Sequence, residues 1–258
     1  MLASFTVVFM LPHILASMFT FFDREYLALY RRRLSWGIPA ALIASFAMTR
    51  SGLGAEVFWA LTLWHVMTQQ VGIARTFARH WWGFTVWRWL LVAAFTCGGV
   101  GIDYPSARLP ASVLQGVSLL MVMPVLLRCR HRTGIYYIAG TQGTVMIAAL
   151  GIAIGYPFFT ALLPRVVHDV TAFVFYVVHG HNRNRQQQPN MLLRMLSFTQ
   201  VPVAVLVVVV PILLNCALGY AHLPTTSIII TLSMFHYFTE GFMWKRGAPH
   251  RKHVPIHA

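Results

Sequence analysis

Residues 235–247 read FHYFTEGFMWKRG and close an apolar run that begins near residue 224. The run approaches the 20 or so mostly apolar residues that a helix needs to cross a hydrocarbon core. It stops at Lys245 and Arg246, residues that belong at a headgroup layer. The stretch therefore predicts a membrane helix, and one that keeps His236 and Glu240 inside it. Ionisable groups at that depth are costly and mark a site.

Composition extends the reading to the whole chain. Of 258 residues, 57% are hydrophobic and 10% charged, and the mean hydropathy is +0.64, beyond what a soluble domain of this size shows. The expected fold is an all-α, polytopic membrane helix bundle forming a single transmembrane domain over 1–258, in a bacterial inner (cytoplasmic) membrane. Twenty Lys and Arg against six Asp and Glu give a net charge of +14. The basic residues cluster between apolar runs, as loops facing an anionic leaflet do, and this argues against nucleic acid as a partner. Membrane lipids and a lipophilic small molecule are the expected partners, with a partner subunit left open. Cys97 and Cys216 lie in apolar runs and Cys129 in a basic cluster, without a CxxC pair. The amino terminus lacks a basic n-region and a cleavage site, and so reads as a retained span rather than a signal peptide.

Nine spans follow: 1–22, 36–50, 54–74, 84–102, 110–127, 135–157, 164–181, 196–219 and 224–244. RRR at 31–33, the arginines around HWW, RCRHR at 128–132, RNR at 183–185 and KRGAPHRKH at 245–253 all follow odd-numbered spans. The other loops are poor in Lys and Arg, so the positive-inside rule predicts an N-out, C-in topology.

His13, His65 and His236 fall within about two residues of the middle of their spans, or about 3 Å at 1.5 Å per residue. His168 lies about 7 Å to the outer side of its own. Four imidazoles thus share one band of depth. Asp169 follows His168, while Gln69 and Glu240 each lie one turn after a histidine and share its helix face. For Gln69 and Gln70, interhelical hydrogen bonding is the expected role. His179 is eleven residues after His168, about 16 Å nearer the cytoplasm, which suits a lower layer or an entrance. The remaining histidines, 80, 131, 181, 222, 250, 253 and 257, read as interfacial or exposed.

Imidazole and carboxylate on facing helices suit iron, zinc or copper. A neutral imidazole is also the least costly strong ligand to keep in a low-dielectric bundle. His13, His65, His168 and His236 are the candidate metal ligands. Asp169 and Glu240 are candidate catalytic carboxylates, either as further ligands or by orienting an imidazole.

LPH at 11–13, LWHVMTQQ at 63–70 and RVVHDVTAFVFYVVHGHNRN at 165–184 together resemble the Brp/Blh group of membrane β-carotene dioxygenases. The resemblance covers these short segments. It implies a polytopic enzyme whose intramembrane histidines hold iron, with His13, His65 and His168 as the matching ligands and a carotenoid as substrate. The expected function is a membrane-embedded, metal-dependent oxygenase acting on a lipophilic substrate, with iron as first choice of cofactor and zinc, copper or haem as alternatives. A haem- or quinone-binding redox subunit and a proton-coupled transporter are the competing classes.

Overall fold

The structure, a computed structural model, describes residues 11–79, 81–156, 159–186, 190–196, 199–220, 225–245 and 247–254. Among these residues there is no strand, only an isolated antiparallel bridge between Ala78 and Cys129. The helices are α1 (Leu11–Phe19), α2 (Arg24–Arg50), α3 (Gly54–Thr76), α4 (Gly83–Val100), α5 (Arg108–Leu126), α6 (Arg132–Ala153), α7 (Phe159–Arg185), α8 (Met191–Met195), α9 (Val203–Tyr220) and α10 (Thr225–Met243). Short 3-10 turns lie at Thr20–Phe22, Pro105–Ala107 and Pro249–His253. By length and composition, 83–100, 105–126, 132–153 and 162–185 are long and apolar enough to cross a membrane.

Helix α2 departs from the sequence expectation. It runs unbroken through RRR at 31–33 and through Pro39, so the basic cluster is not a loop but part of a 27-residue helix. Its buried residues, Tyr26, Tyr30, Leu34, Gly37, Ala41 and Ser45, recur every three or four positions and form one stripe. The three arginines lie off that stripe and are exposed. Arginine is a good helix former, so a charge run on the outer face marks the end of the apolar zone without ending the helix. The first ten residues of the expected span 1–22 lie outside the described residues.

The chain divides into two compact units. The first is built from residues up to 54 and from 169 to 255, so α1, α2, α9, α10 and the later part of α7 belong to it. Its apolar core joins Ala16, Tyr26, Tyr30, Leu34, Tyr176, Leu206 and Met243. Ser45 of α2 donates to the Ser227 carbonyl of α10 at 3.1 Å.

The second unit holds 55–168. Its core is centred on α4, where Phe84, Trp87, Leu91 and Phe95 are fully buried against Leu63, Met67, Val125 and Ile138. A polar ladder crosses three of its helices: Trp87 Nε1 donates to Gln142 Oε1 at 3.0 Å, Gln142 Nε2 to Ser118 Oγ at 3.0 Å, and Ser118 to the Gln115 carbonyl at 2.7 Å. Within hydrocarbon, such bonds satisfy groups that no water reaches. Gln70 accepts from Tyr137 on another helix, the interhelical role expected for it.

Gly134, in the first turn of α6, sits so close to Phe77 that a Cβ there would overlap the Phe77 Cβ and crowd Cys129 Sγ. Phe77 cannot yield, because its carbonyl accepts from Arg130 N at 3.0 Å beside the 78–129 bridge. Gly134→Val is therefore expected to destabilise the protein by about 1–3 kcal/mol, the usual cost of overpacking. Thermal unfolding in detergent measures it, and an unchanged midpoint would refute the tight fit.

Candidate metal centre

Four of the six residues singled out from the sequence meet inside the first unit. His13 comes from α1, Asp169 from α7, and His236 and Glu240 from α10. All four are at most 4% exposed. Helical spacing accounts for the pair on α10, since residues four apart share a face; His236 Nε2 lies 3.4 Å from Glu240 Oε2. Across helices, His13 Nε2 is 3.2 Å from His236 Nε2, and the two rings meet edge to face with centroids 4.8 Å apart.

The neighbours decide which nitrogen carries a proton. Ser17 spends its single hydroxyl hydrogen on the Ile14 carbonyl, 2.6 Å away. At His236 Nδ1, 2.8 Å from the same oxygen, Ser17 is therefore an acceptor and the imidazole is the donor. With its proton on Nδ1, neutral His236 presents a lone pair at Nε2. Asp169 Oδ1 stands 3.2 Å from His13 Nδ1 and favours the same tautomer there. The Nε2 lone pair of His236 then faces both His13 Nε2 and a carboxylate oxygen. That is repulsive unless a cation or a proton lies among them.

The spacing suits a metal ion. Metal–nitrogen bonds of about 2.0–2.1 Å in a tetrahedral site place ligand atoms about 3.3–3.4 Å apart, and the two separations measured from His236 Nε2 are 3.2 Å to His13 Nε2 and 3.4 Å to Glu240 Oε2. The partners on the far side of each ligand are those that metal sites use to hold imidazoles and carboxylates in place. Ser17 and Asp169 face the two Nδ1 atoms, while Tyr176 donates to Glu240 Oε1 and Trp244 Nε1 approaches it at 3.5 Å.

The other two expected ligands, His65 of α3 and His168 of α7, are brought together in the second unit. Their rings meet edge to face with centroids 5.2 Å apart, and both are buried. Gln69 Nε2 is 3.5 Å from His65 Nε2, one turn along the helix as its spacing predicted. His179 belongs to a separate aromatic cluster in the first unit, its Nε2 3.2 Å from the Tyr26 hydroxyl.

Ser17, Tyr176 and Trp244 were not singled out by the sequence reading, yet a signal for them was present. Ser17 is four residues after His13, Trp244 is four after Glu240, and Tyr176 is seven after Asp169, so each shares a face with a site residue. One expectation is overturned: His250, read as interfacial or exposed, is 0% exposed. The basic tail folds back on the bundle, and the aromatic rings of α2 cover it. His80, His222 and His257 lie outside the described residues.

No protein-family model, curated protein or solved structure matches the chain.

Proposed function

We propose that the chain is a membrane-embedded, metal-dependent oxygenase that uses non-haem iron on a lipophilic substrate. The observation that carries this reading is the approach of His13 Nε2 and of Glu240 Oε2 to His236 Nε2, with the protons directed onto the two Nδ1 atoms. Iron, when bound, supplies the activation of oxygen. The chain's own residues do the rest: His13 and His236 bind, Glu240 adds an oxygen donor, Asp169 and Ser17 orient the imidazoles, and the buried setting excludes water. The Brp/Blh resemblance supports iron and a carotenoid-like polyene, and it adds His65 and His168 as further ligands. Four membrane-length helices and the clustered arginines support a bacterial inner-membrane location with the amino terminus outside.

Elemental analysis of the detergent-purified full chain, with a visible spectrum, tests the reading. Iron near one equivalent or above without a Soret band is the expected result. A Soret band would favour the haem-binding redox subunit. A metal-free protein that binds no added iron, zinc or copper would leave the imidazole pair sharing a proton, as a transporter's relay would. Aldehyde formation from β-carotene and oxygen by the iron-loaded protein then tests the substrate class separately.

A further inference from the structure

The carboxy-terminal segment builds a second histidine cluster in the first unit that the centre above does not use. After α10 the chain reverses at Gly247, whose φ of +82° favours glycine, and the 3-10 turn Pro249–His253 lies back on the bundle. His250 stacks on Tyr26 at 3.9 Å between centroids, and its Nδ1 is 3.4 Å from the Tyr30 hydroxyl. Its Nε2 is buried without a hydrogen bond, and so is Nδ1 of His253. His179 of α7 is the ring between them, 5.3 Å from His250 and 5.4 Å from His253.

Two unpartnered nitrogens are a poor way to hold a tail. Each such buried polar atom carries a desolvation cost that a partner would recover. The free nitrogen of each imidazole offers a lone pair to a cation. Two imidazoles on one metal ion place their ring centres about 5 Å apart, given metal–nitrogen bonds of about 2 Å. The His179–His253 pair, its planes 90° apart, has that spacing, while His250 is stacked on His179 with planes 19° apart and stands next in line rather than on the same ion.

A path onward is also present. His179 and Tyr176 line one pocket with Asp23, whose Oδ2 lacks a hydrogen bond and has only a 3.5 Å ion pair with Arg183. Tyr176 in turn bonds Glu240.

We propose that His253, His250 and His179 form an entry station for a divalent transition-metal ion, which passes through the Asp23–Tyr176 pocket to the His13–His236 centre. The proposal rests on the reading of that centre as a metal site. A transit site must bind strongly enough to admit an ion and loosely enough to release it, which pairs of imidazoles do better than a closed four-ligand cage. Arg183 and Lys252 lie close to His253 and oppose a bare dication, only partly offset by Asp23 and the exposed Glu25, so screening by salt should speed entry.

Stopped-flow loading of Co²⁺ into the chelator-stripped full chain tests this, with the cobalt d–d bands as readout. His179→Gln, His250→Phe and His253→Ala should each reach the wild-type final stoichiometry while loading about tenfold or more slowly, and added salt should accelerate the wild type. Wild-type loading rates in the three variants would overturn the station and leave the centre standing. A wild-type chain that takes up no cobalt at all would overturn both. His253 is half-exposed and its replacement leaves the buried stack intact, so that variant keeps the test decisive if His250→Phe fails to fold.

Discussion

His236→Ala should yield a protein that inserts and folds yet holds its metal at least about 100-fold more weakly than wild type. Removing an outer partner of a ligand typically costs about 10- to 100-fold in affinity, and a ligand itself costs more. His236 is the residue on which the cluster turns, because its Nε2 is within 3.4 Å of both His13 Nε2 and Glu240 Oε2. Two milder variants place it on a scale. Ser17→Ala removes the acceptor that keeps the proton on Nδ1, and Glu240→Gln keeps the shape of the side chain while removing its charge; each should weaken retention by about 10- to 100-fold. Metal content after dialysis against chelators of graded strength measures all three, with circular dichroism in detergent as the check on folding. Full occupancy in His236→Ala would reduce this histidine to an interhelical hydrogen-bonding residue.

The second large effect concerns stability. Trp87 is fully buried at the centre of the second unit, and Trp87→Ala should cost about 3–5 kcal/mol through lost packing and the cavity left behind. Its hydrogen bond to Gln142 is the smaller part, since interhelical bonds in membrane bundles average about 0.6 kcal/mol. Trp87→Phe, which keeps most of the ring but leaves Gln142 Oε1 without its donor, should therefore lose much less than the alanine variant. Denaturation in mixed micelles compares the two. Equal losses would show that the polar ladder, and not packing, holds these helices together.

Much of the architecture was legible because membrane helices obey a coarse rule. The runs at 84–102, 110–127 and 135–157 overlap α4, α5 and α6 closely, since a hydrocarbon core demands length and apolarity of a single segment without reference to its neighbours. The rule failed where helix and apolar run differ in extent. In α2 the apolar part is only the second half, and hydropathy has no means of showing that Arg31–Arg33 ride on the exposed face of the same helix. The tail failed for a related reason. KRGAPHRKH has the composition of an exposed anchor, yet His250 is enclosed by Tyr26, Tyr30 and Trp244, three rings whose closeness to it no local pattern announces.

The same division runs through the candidate centre. By itself the sequence determined that His13, His65, His168 and His236 sit inside apolar runs, and that His236 shares a helix face with Glu240, because depth and face follow from counting at 1.5 Å and 100° per residue. Counting confines residues to a slab and leaves their rotation about the bundle open. Tertiary packing decided that His13 meets His236 and Asp169 in one unit while His65 meets His168 in the other. It also decided the tautomer of His236. That depends on the hydroxyl of Ser17, whose one hydrogen is already committed to Ile14, and such a commitment exists only once α1 and α10 lie side by side.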